Sequence, residues 1–150
     1  MRVILQRVLE SSVVSDGVLT GTIGKGLCVL VGFEEADTLQ DMEWMAHKLV
    51  NLRIFPDADG KLNTSVIDNG YEILVVSQFT LYASTQKGFR PSFSRAAPGP
   101  IAKLKYEQFL EVLQVKLDKP LQTGIFAADM RVSLVNDGPV TIAIDSKQKE

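Results

Sequence analysis

Hydrophobic residues along this chain fall into short β-like runs broken by turn residues, and they change to a helical spacing only twice. Residues 2–8 alternate loosely between apolar and polar and read as a strand. Ser12-Val13-Val14-Ser15 and Val18-Leu19-Thr20 flank Asp16-Gly17, a dipeptide that supplies the positive φ angles of a two-residue hairpin turn. Gly26-Leu27-Cys28-Val29-Leu30-Val31-Gly32 reads as a buried strand with Cys28 as a small core residue. Gly21, Gly24 and Gly26 have no helix behind them and read as turn glycines. The first helical stretch follows Thr38. Asp41 three residues on completes a capping box, and Met42, Met45, Leu49 and Leu52 recur at helical spacing. Pro56-Asp57-Ala58-Asp59-Gly60 and Asn69-Gly70 are turns, and the second leads into Ile73-Leu74-Val75-Val76. Four consecutive aliphatic residues predict a strand buried on both faces. The second helix is expected over residues 101–117, with Tyr106, Phe109, Leu110, Leu113 and Leu117 on one face. Strands near residues 123–126, 131–136 and 139–144 then precede a charged tail from Ser146.

About seven strands and two helices predict an α+β fold: a mostly antiparallel sheet or partly closed barrel packed by two helices, in a single domain over residues 1–150. Two stretches break the pattern. Ser77-Gln78-Phe79-Thr80-Leu81 begins where the central aliphatic run meets polar residues. Short hydroxyl and amide side chains beside exposed backbone N–H groups are suited to holding a carbonyl. The same residues also suit a strand end that bonds its own backbone. In Asn136-Asp137-Gly138-Pro139-Val140-Thr141 a Gly-Pro pair separates two strand-like runs. Proline cannot donate to a ladder, so Gly138-Pro139 is expected at a turn, bulge or edge. The first stretch is expected to form the floor of a site and the second its lid.

Composition narrows the classes without choosing among them. With 45% hydrophobic and 23% charged residues, the chain can bury a core of ordinary size. No apolar run reaches membrane-spanning length, so no membrane partner is expected. The apolar run at the start breaks after three residues, too soon for a signal peptide. A lone Cys28 suits a reducing compartment, and cytoplasmic localisation is the expectation. The net charge of −2 argues against general nucleic-acid binding, yet residues 84–105 carry Lys87, Arg90, Arg95, Lys103 and Lys105 with no Asp or Glu. Phosphate partners fit such a stripe; a solvated basic loop is the plain alternative.

His47 is the only histidine and falls within the first helical pattern, so a Ser-His-Asp or Cys-His apparatus is not expected. No ligand cluster accompanies it, Asp57 and Asp59 lack a calcium-loop pattern, and dinucleotide and phosphate-loop fingerprints are missing. No metal and no cofactor are therefore expected. Chemistry is left to Ser77, Gln78, Thr80, Thr141 and main-chain groups. That set is weak for cleaving an amide but sufficient for an activated ester, where positioning and oxyanion stabilisation supply most of the acceleration.

Ser77-Gln78-Phe79-Thr80-Leu81 together with Asn136-Asp137-Gly138-Pro139-Val140-Thr141 resembles the two signature motifs of the D-aminoacyl-tRNA deacylases. Gln6-Arg7-Val8, Arg53-Ile54-Phe55, Arg90-Pro91-Ser92-Phe93 and Phe126-Ala127-Ala128-Asp129-Met130 also look like positions of that family, so the likeness covers nearly the whole chain. The resemblance implies hydrolysis of D-aminoacyl-tRNA, and of mischarged glycyl-tRNA, in chiral proofreading during translation. It implies a homodimer in which Gly138-Pro139, joined by a cis peptide bond, crosses into the partner's site. Carbonyl oxygens of Gly138 and Pro139 are then expected to accept the substrate's α-ammonium group and exclude L side chains. Backbone N–H groups near Phe79 and Thr80 hold the ester carbonyl, Ser77, Gln78, Met130 and Thr141 line the pocket, and Arg7 steadies the Gly-Pro loop. Catalysis thus falls to Ser77, Gln78, Phe79, Thr80 and Thr141, and substrate binding to Gly138, Pro139, Met130 and Arg7. Lys87, Arg90 and Arg95 are the residues expected to grip tRNA, on their charge. Thr80 and Thr141 are both candidate nucleophiles, and neither has a visible base. A vicinal ribose hydroxyl assisting an attacking water is the other route. Two competing readings stand beside this one: an ester hydrolase without D-selectivity, and a non-catalytic nucleic-acid-binding module using the basic loop 84–105, for which Gly138-Pro139 has no purpose.

Overall fold

In a computed structural model, which describes residues 1–149, the sheet is built on one long strand, β1 (Arg2–Ser15). The strands expected at residues 2–8 and 12–15 are a single element. The chain bulges at the exposed Leu9-Glu10 pair, where the register slips, without abandoning its partners. Asp16 and Gly17, at φ 48° and 83°, turn the chain into β2 (Val18–Ile23), and β3 (Gly26–Gly32) continues along the same edge of β1. Both are antiparallel to β1. The opposite edge is occupied by β8 (Met130–Asp145), antiparallel from Arg2 opposite Asp145 to Ser15 opposite Met130.

α1 (Leu39–Asn51) and α2 (Gly99–Gln114) are crossover helices, so the strands that follow them join in parallel. β6 (Glu72–Ser77) pairs parallel with β3, and the two-residue β7 (Gln122–Thr123) parallel with β6. Antiparallel pairing, the expectation for most of the sheet, therefore holds around β1, and the sheet as a whole is mixed. β4 (Phe55–Pro56) and β5 (Leu62–Thr64) form a separate two-stranded ribbon. The main sheet curls until β7 returns against β2. The Thr22 N–H faces Gln122 Oε1 at 3.5 Å, and a Cβ on Gly21 would lie 2.9 Å from the Thr123 carbonyl. The sheet is thus nearly closed into a barrel. Gly21 and Gly26 are not turn glycines but points of close approach: a Cβ on Gly26 would run into the Glu72 carbonyl.

The capping box of α1 is formed, with the Asp41 N–H on Thr38 Oγ1 at 3.3 Å and the Thr38 N–H on Asp41 Oδ2 at 2.8 Å. α2 starts two residues before its expected position because proline is tolerated in a first turn, and it stops at Gln114. There the Gln114 side chain caps the following loop through Lys119 O at 3.1 Å and the Leu121 N–H at 2.7 Å, which leaves Leu117 outside the helix. Leu27, Val29, Val31, Ile73 and Val75 face the helices, against Met42, Met45, Leu49 and Phe109. Cys28, Leu74 and Val76 face the other way, onto Val8, Val13 and Ile23. The central strand β6 is buried on both faces, as its unbroken aliphatic run requires. Among the described residues no helix is long and apolar enough to cross a membrane.

Two further expectations change. The strand near residues 123–126 is only Gln122–Thr123, since Gly124 bonds the Val75 carbonyl at 3.2 Å and the chain then leaves the sheet. The two strands expected either side of Gly138-Pro139 are one element, β8. Its pairing with β1 nonetheless skips from Asn136, opposite Val8, to Thr141, opposite Gln6, so Asp137-Gly138-Pro139-Val140 loops out.

Candidate active site

β6 ends at Ser77, where the Gln78 N–H takes the Val31 carbonyl at 2.7 Å and the backbone tightens into a one-turn 3₁₀ helix (Phe79–Tyr82). A helix start leaves its first N–H groups without internal acceptors. Accordingly the Phe79 and Thr80 amides have no partner among the described residues, whereas Leu81 and Ala83 bond the carbonyls of Gln78 and Thr80. Beside these amides lies a cavity of about 580 Å³ lined by Ser77, Gln78, Phe79, Phe126, Met130 and Ala102, among others. Its walls are mostly apolar, and polar groups sit on one side. The Met130 side chain reaches in across Gly124, in space that a Cβ there would occupy. Thr80 is exposed and not a wall residue; its Oγ1 accepts from Gln78 Nε2 at 2.5 Å.

A second group forms on the far side of β1. The buried Arg7 donates through Nε to the Asp137 carbonyl at 3.1 Å and through Nη1 to the Ile54 carbonyl at 2.6 Å, with the Asp137 carboxylate 3.2 Å away. It therefore ties the looped-out segment to the chain entering β4. The Gly138–Pro139 peptide is cis, Gly138 has φ +124°, and both residues are exposed. The Asn136 side chain braces the loop from within, accepting from the Val140 N–H at 3.0 Å and donating to Thr141 Oγ1 at 2.9 Å. Gln6 Nε2 donates to the same hydroxyl at 3.2 Å. Both donors to Thr141 are amides, and the donor to Thr80 is a third. An amide nitrogen takes no proton, so among the described residues neither threonine is bonded to a general base.

The structure brings Ser77, Gln78, Phe79 and Met130 together and keeps Arg7, Gly138, Pro139 and Thr141 apart from them. Thr141 pairs with Gln6 on β1, Gln6 with Cys28 on β3, and Cys28 with Leu74 on β6. Three strand spacings, roughly 14 Å, separate Thr141 from β6 across the sheet, and Met130, though also on β8, lies eight residues before Gly138 at the start of that strand. Within one chain the Gly138-Pro139 loop does not line the cavity; it projects from β8, on the edge of β1 opposite β3. Gln6 and Ile54 were not singled out for the roles they hold. Gln6 becomes visible only once the β1/β8 register is known, and Ile54 acts through its carbonyl, which has no residue signature.

The basic stretch is divided by its contacts. Lys103 faces Glu107 at 3.9 Å, Lys105 donates to the Asp37 carbonyl at 2.5 Å, and the Arg95 guanidinium lies 5.9 Å from the centre of the Tyr82 ring. Lys87 and Arg90 are exposed and have no hydrogen-bond or ion-pair partner among the described residues. Burial pushes the Cys28 thiol up from its ordinary value, as suits a core residue, and also raises the Tyr82 hydroxyl. His47 is exposed on α1, its Nδ1 3.2 Å from Asn51 Nδ2, away from the cavity and the loop. Among the described residues no cluster of three His, Cys, Asp or Glu is placed to hold a metal ion.

The sequence profile of a family described as D-Tyr-tRNA(Tyr) deacylase matches residues 4–145. The chain is similar over its whole length to proteins named D-aminoacyl-tRNA deacylase. It is 56% identical to that of Dechloromonas aromatica and 57% identical to that of Parabacteroides distasonis, over 150 residues and 100% of each chain. Among solved structures, "c-Myc DNA Unwinding Element Binding Protein" superposes with a TM-score of 0.91 at 43% identity, covering 97% of this chain and 98% of that one. A structure described as "a probable eukaryotic D-amino acid tRNA deacylase" gives 0.81 at 18% identity over 95% and 97% of the two chains, a likeness of fold alone.

Proposed function

The chain belongs to the D-Tyr-tRNA(Tyr) deacylase family, and from that premise we propose that it hydrolyses the ester bond between a D-amino acid and tRNA at a site shared by two copies of the chain. The observation that carries this reading is the division of the site. One chain holds a cavity beside two free amides, and on its far edge an exposed Gly138-Pro139 loop whose carbonyl oxygens lie outside the sheet ladder. A second copy brings its loop to the mouth of the first copy's cavity, and the reverse, as two-fold symmetry requires.

In the joined site the Phe79 and Thr80 N–H groups hold the ester carbonyl and receive the negative charge that develops on its oxygen. Carbonyl oxygens of the partner's Gly138 and Pro139 accept the α-ammonium group. Held at both points, the Cα directs a D side chain outward to solvent and an L side chain into the Gly-Pro main chain. Glycine, lacking a side chain, also enters. Water attacks the carbonyl carbon, the bond to the ribose oxygen breaks, and that oxygen leaves protonated, giving free D-amino acid and tRNA. Among the described residues Thr80 and Thr141 accept hydrogen bonds from amides only, which supports assistance to the water by the neighbouring ribose hydroxyl in place of a protein nucleophile.

A second reading is a nucleic-acid-binding module without catalysis. The free cations Lys87 and Arg90, and the name of the structural neighbour at 43% identity, favour it. Single-turnover hydrolysis of D-tyrosyl-tRNA and L-tyrosyl-tRNA, side by side with a chelator, separates the readings. Loss of the D ester alone supports the deacylase. Equal loss of both discards main-chain selection, and binding without cleavage of either ester leaves the module.

A further inference from the structure

Residues 84–92 form a loop whose use the site has not yet explained. It is pinned at its base by paired backbone bonds, the Ser84 N–H to the Ser92 carbonyl at 2.8 Å and the Ser92 N–H to the Ser84 carbonyl at 2.9 Å. At its tip Phe89 is fully exposed, at 108% of its reference area, directly between Gly88 and Arg90. An unburied phenyl ring forgoes the free energy it would gain by leaving water. Both ends of the loop lead to the cavity: Phe79, on its wall, packs edge-on against Phe93 at 5.1 Å, and Ala97 beyond Phe93 is itself a wall residue. The flanking Lys87 and Arg90 have no ion-pair partner among the described residues, and no acidic residue occurs over positions 84–105. A protein surface would be matched by mixed charge. An aromatic ring between two free cations instead matches a polyanion that also presents flat π faces, which is single-stranded nucleic acid.

Resting on the deacylase reading, we propose that Phe89 stacks on an unpaired base of the RNA strand leading out of the cavity, upstream of the esterified nucleotide, with Lys87 and Arg90 on the adjoining phosphates. The loop is a positioning arm for that strand. It touches neither the ester nor the amino acid, so it acts on binding and leaves the chemical step alone.

The test compares Phe89→Ala, Phe89→Leu and Phe89→Trp on D-tyrosyl-tRNA and on 3′-D-tyrosyl-adenosine, which has no upstream strand. On tRNA, Phe89→Ala and Phe89→Leu are expected to raise KM roughly 5- to 150-fold, the effect of losing one stacked base, with kcat unchanged and Phe89→Trp restoring it. On the short ester all four proteins are expected to have the same KM. Equal KM on tRNA overturns the proposal, as does an equal loss on both substrates or a Phe89→Leu protein that behaves as wild type. If wild type cleaves neither ester, the deacylase reading fails on its own, and the loop is judged by anisotropy of a labelled single-stranded RNA hexamer. Weaker binding by Phe89→Ala then supports stacking, and unchanged binding overturns it.

Discussion

Arg7 and Gly138 are coupled, and the coupling sets what each tolerates. A Cβ on Gly138 would lie 2.9 Å from Arg7 Nη2 and 3.2 Å from the Val140 N–H, in a backbone conformation at φ +124° that side chains resist. Gly138→Ala must therefore move either the loop or the guanidinium that holds it. The expected outcome is a loss of D-ester hydrolysis well beyond tenfold, with the melting temperature lowered by only a few degrees because the loop lies outside the ladder. Arg7→Lys keeps the charge but cannot span the Asp137 and Ile54 carbonyls together. It is expected to cost about 2 kcal/mol of stability in a denaturant melt and to lower kcat/KM with it. At this scale legibility was uneven. Ser77, Gln78, Gly138 and Pro139 stand out because strand-end hydroxyls and a Gly-Pro pair contradict their aliphatic surroundings. The residues that anchor their neighbours do not: Gln6, which donates to Thr141, is an ordinary outward strand position, and Ile54, which accepts from Arg7, contributes only its carbonyl.

Elements were readable where one local rule decides them. The Asp16-Gly17 turn, the Thr38 cap and the apolar face of α1 each follow from a few adjacent residues, whereas the lengths of β1 and β8 depend on their pairing with each other, which no local pattern carries. The same distinction makes Gly26 look like a turn residue when its constraint is the Glu72 carbonyl of the neighbouring strand. Gly26→Ala is expected to part β3 from β6 and cost on the order of 3 kcal/mol or more, seen as a lower denaturation midpoint or as insoluble protein. The cap of α1 yields a pH dependence. Burial pulls the Asp41 carboxyl up, but hydrogen bonds from Lys147 and from the Thr38 N–H and hydroxyl outweigh it and hold the group well below its ordinary 3.8. A carboxyl depressed in the folded state stabilises above its ordinary pKa and loses that contribution as pH falls toward the folded value. Asp41→Asn is therefore expected to be about 1 kcal/mol less stable than wild type at pH 7. The two melting curves should converge as pH is lowered below about 4; a gap that stays constant would mean the charge is not the cause.

For the whole molecule, the periodicities specify a sheet with two helices on one side, but they hold no term for a second copy. The cavity beside the end of β6 and the Gly138-Pro139 loop of β8 lie apart within one chain, and the proposed assembly, in which each chain's loop serves the other's cavity, would join them. Mixing two inactive chains tests this. One carries Gly138→Ala and has a sound cavity. The other carries Ala128→Trp, which plugs the cavity from a half-buried wall position and leaves the loop sound. When the two are refolded together at equal concentration, half of the pairs formed are mixed. Each mixed two-fold pair has one site with both defects and one with neither, so about one quarter of wild-type D-ester hydrolysis is expected to return. Diluting the mixture should abolish the recovered activity as the pairs dissociate. If each chain's loop closes its own cavity, every site keeps one defect at any mixing ratio, and no activity returns.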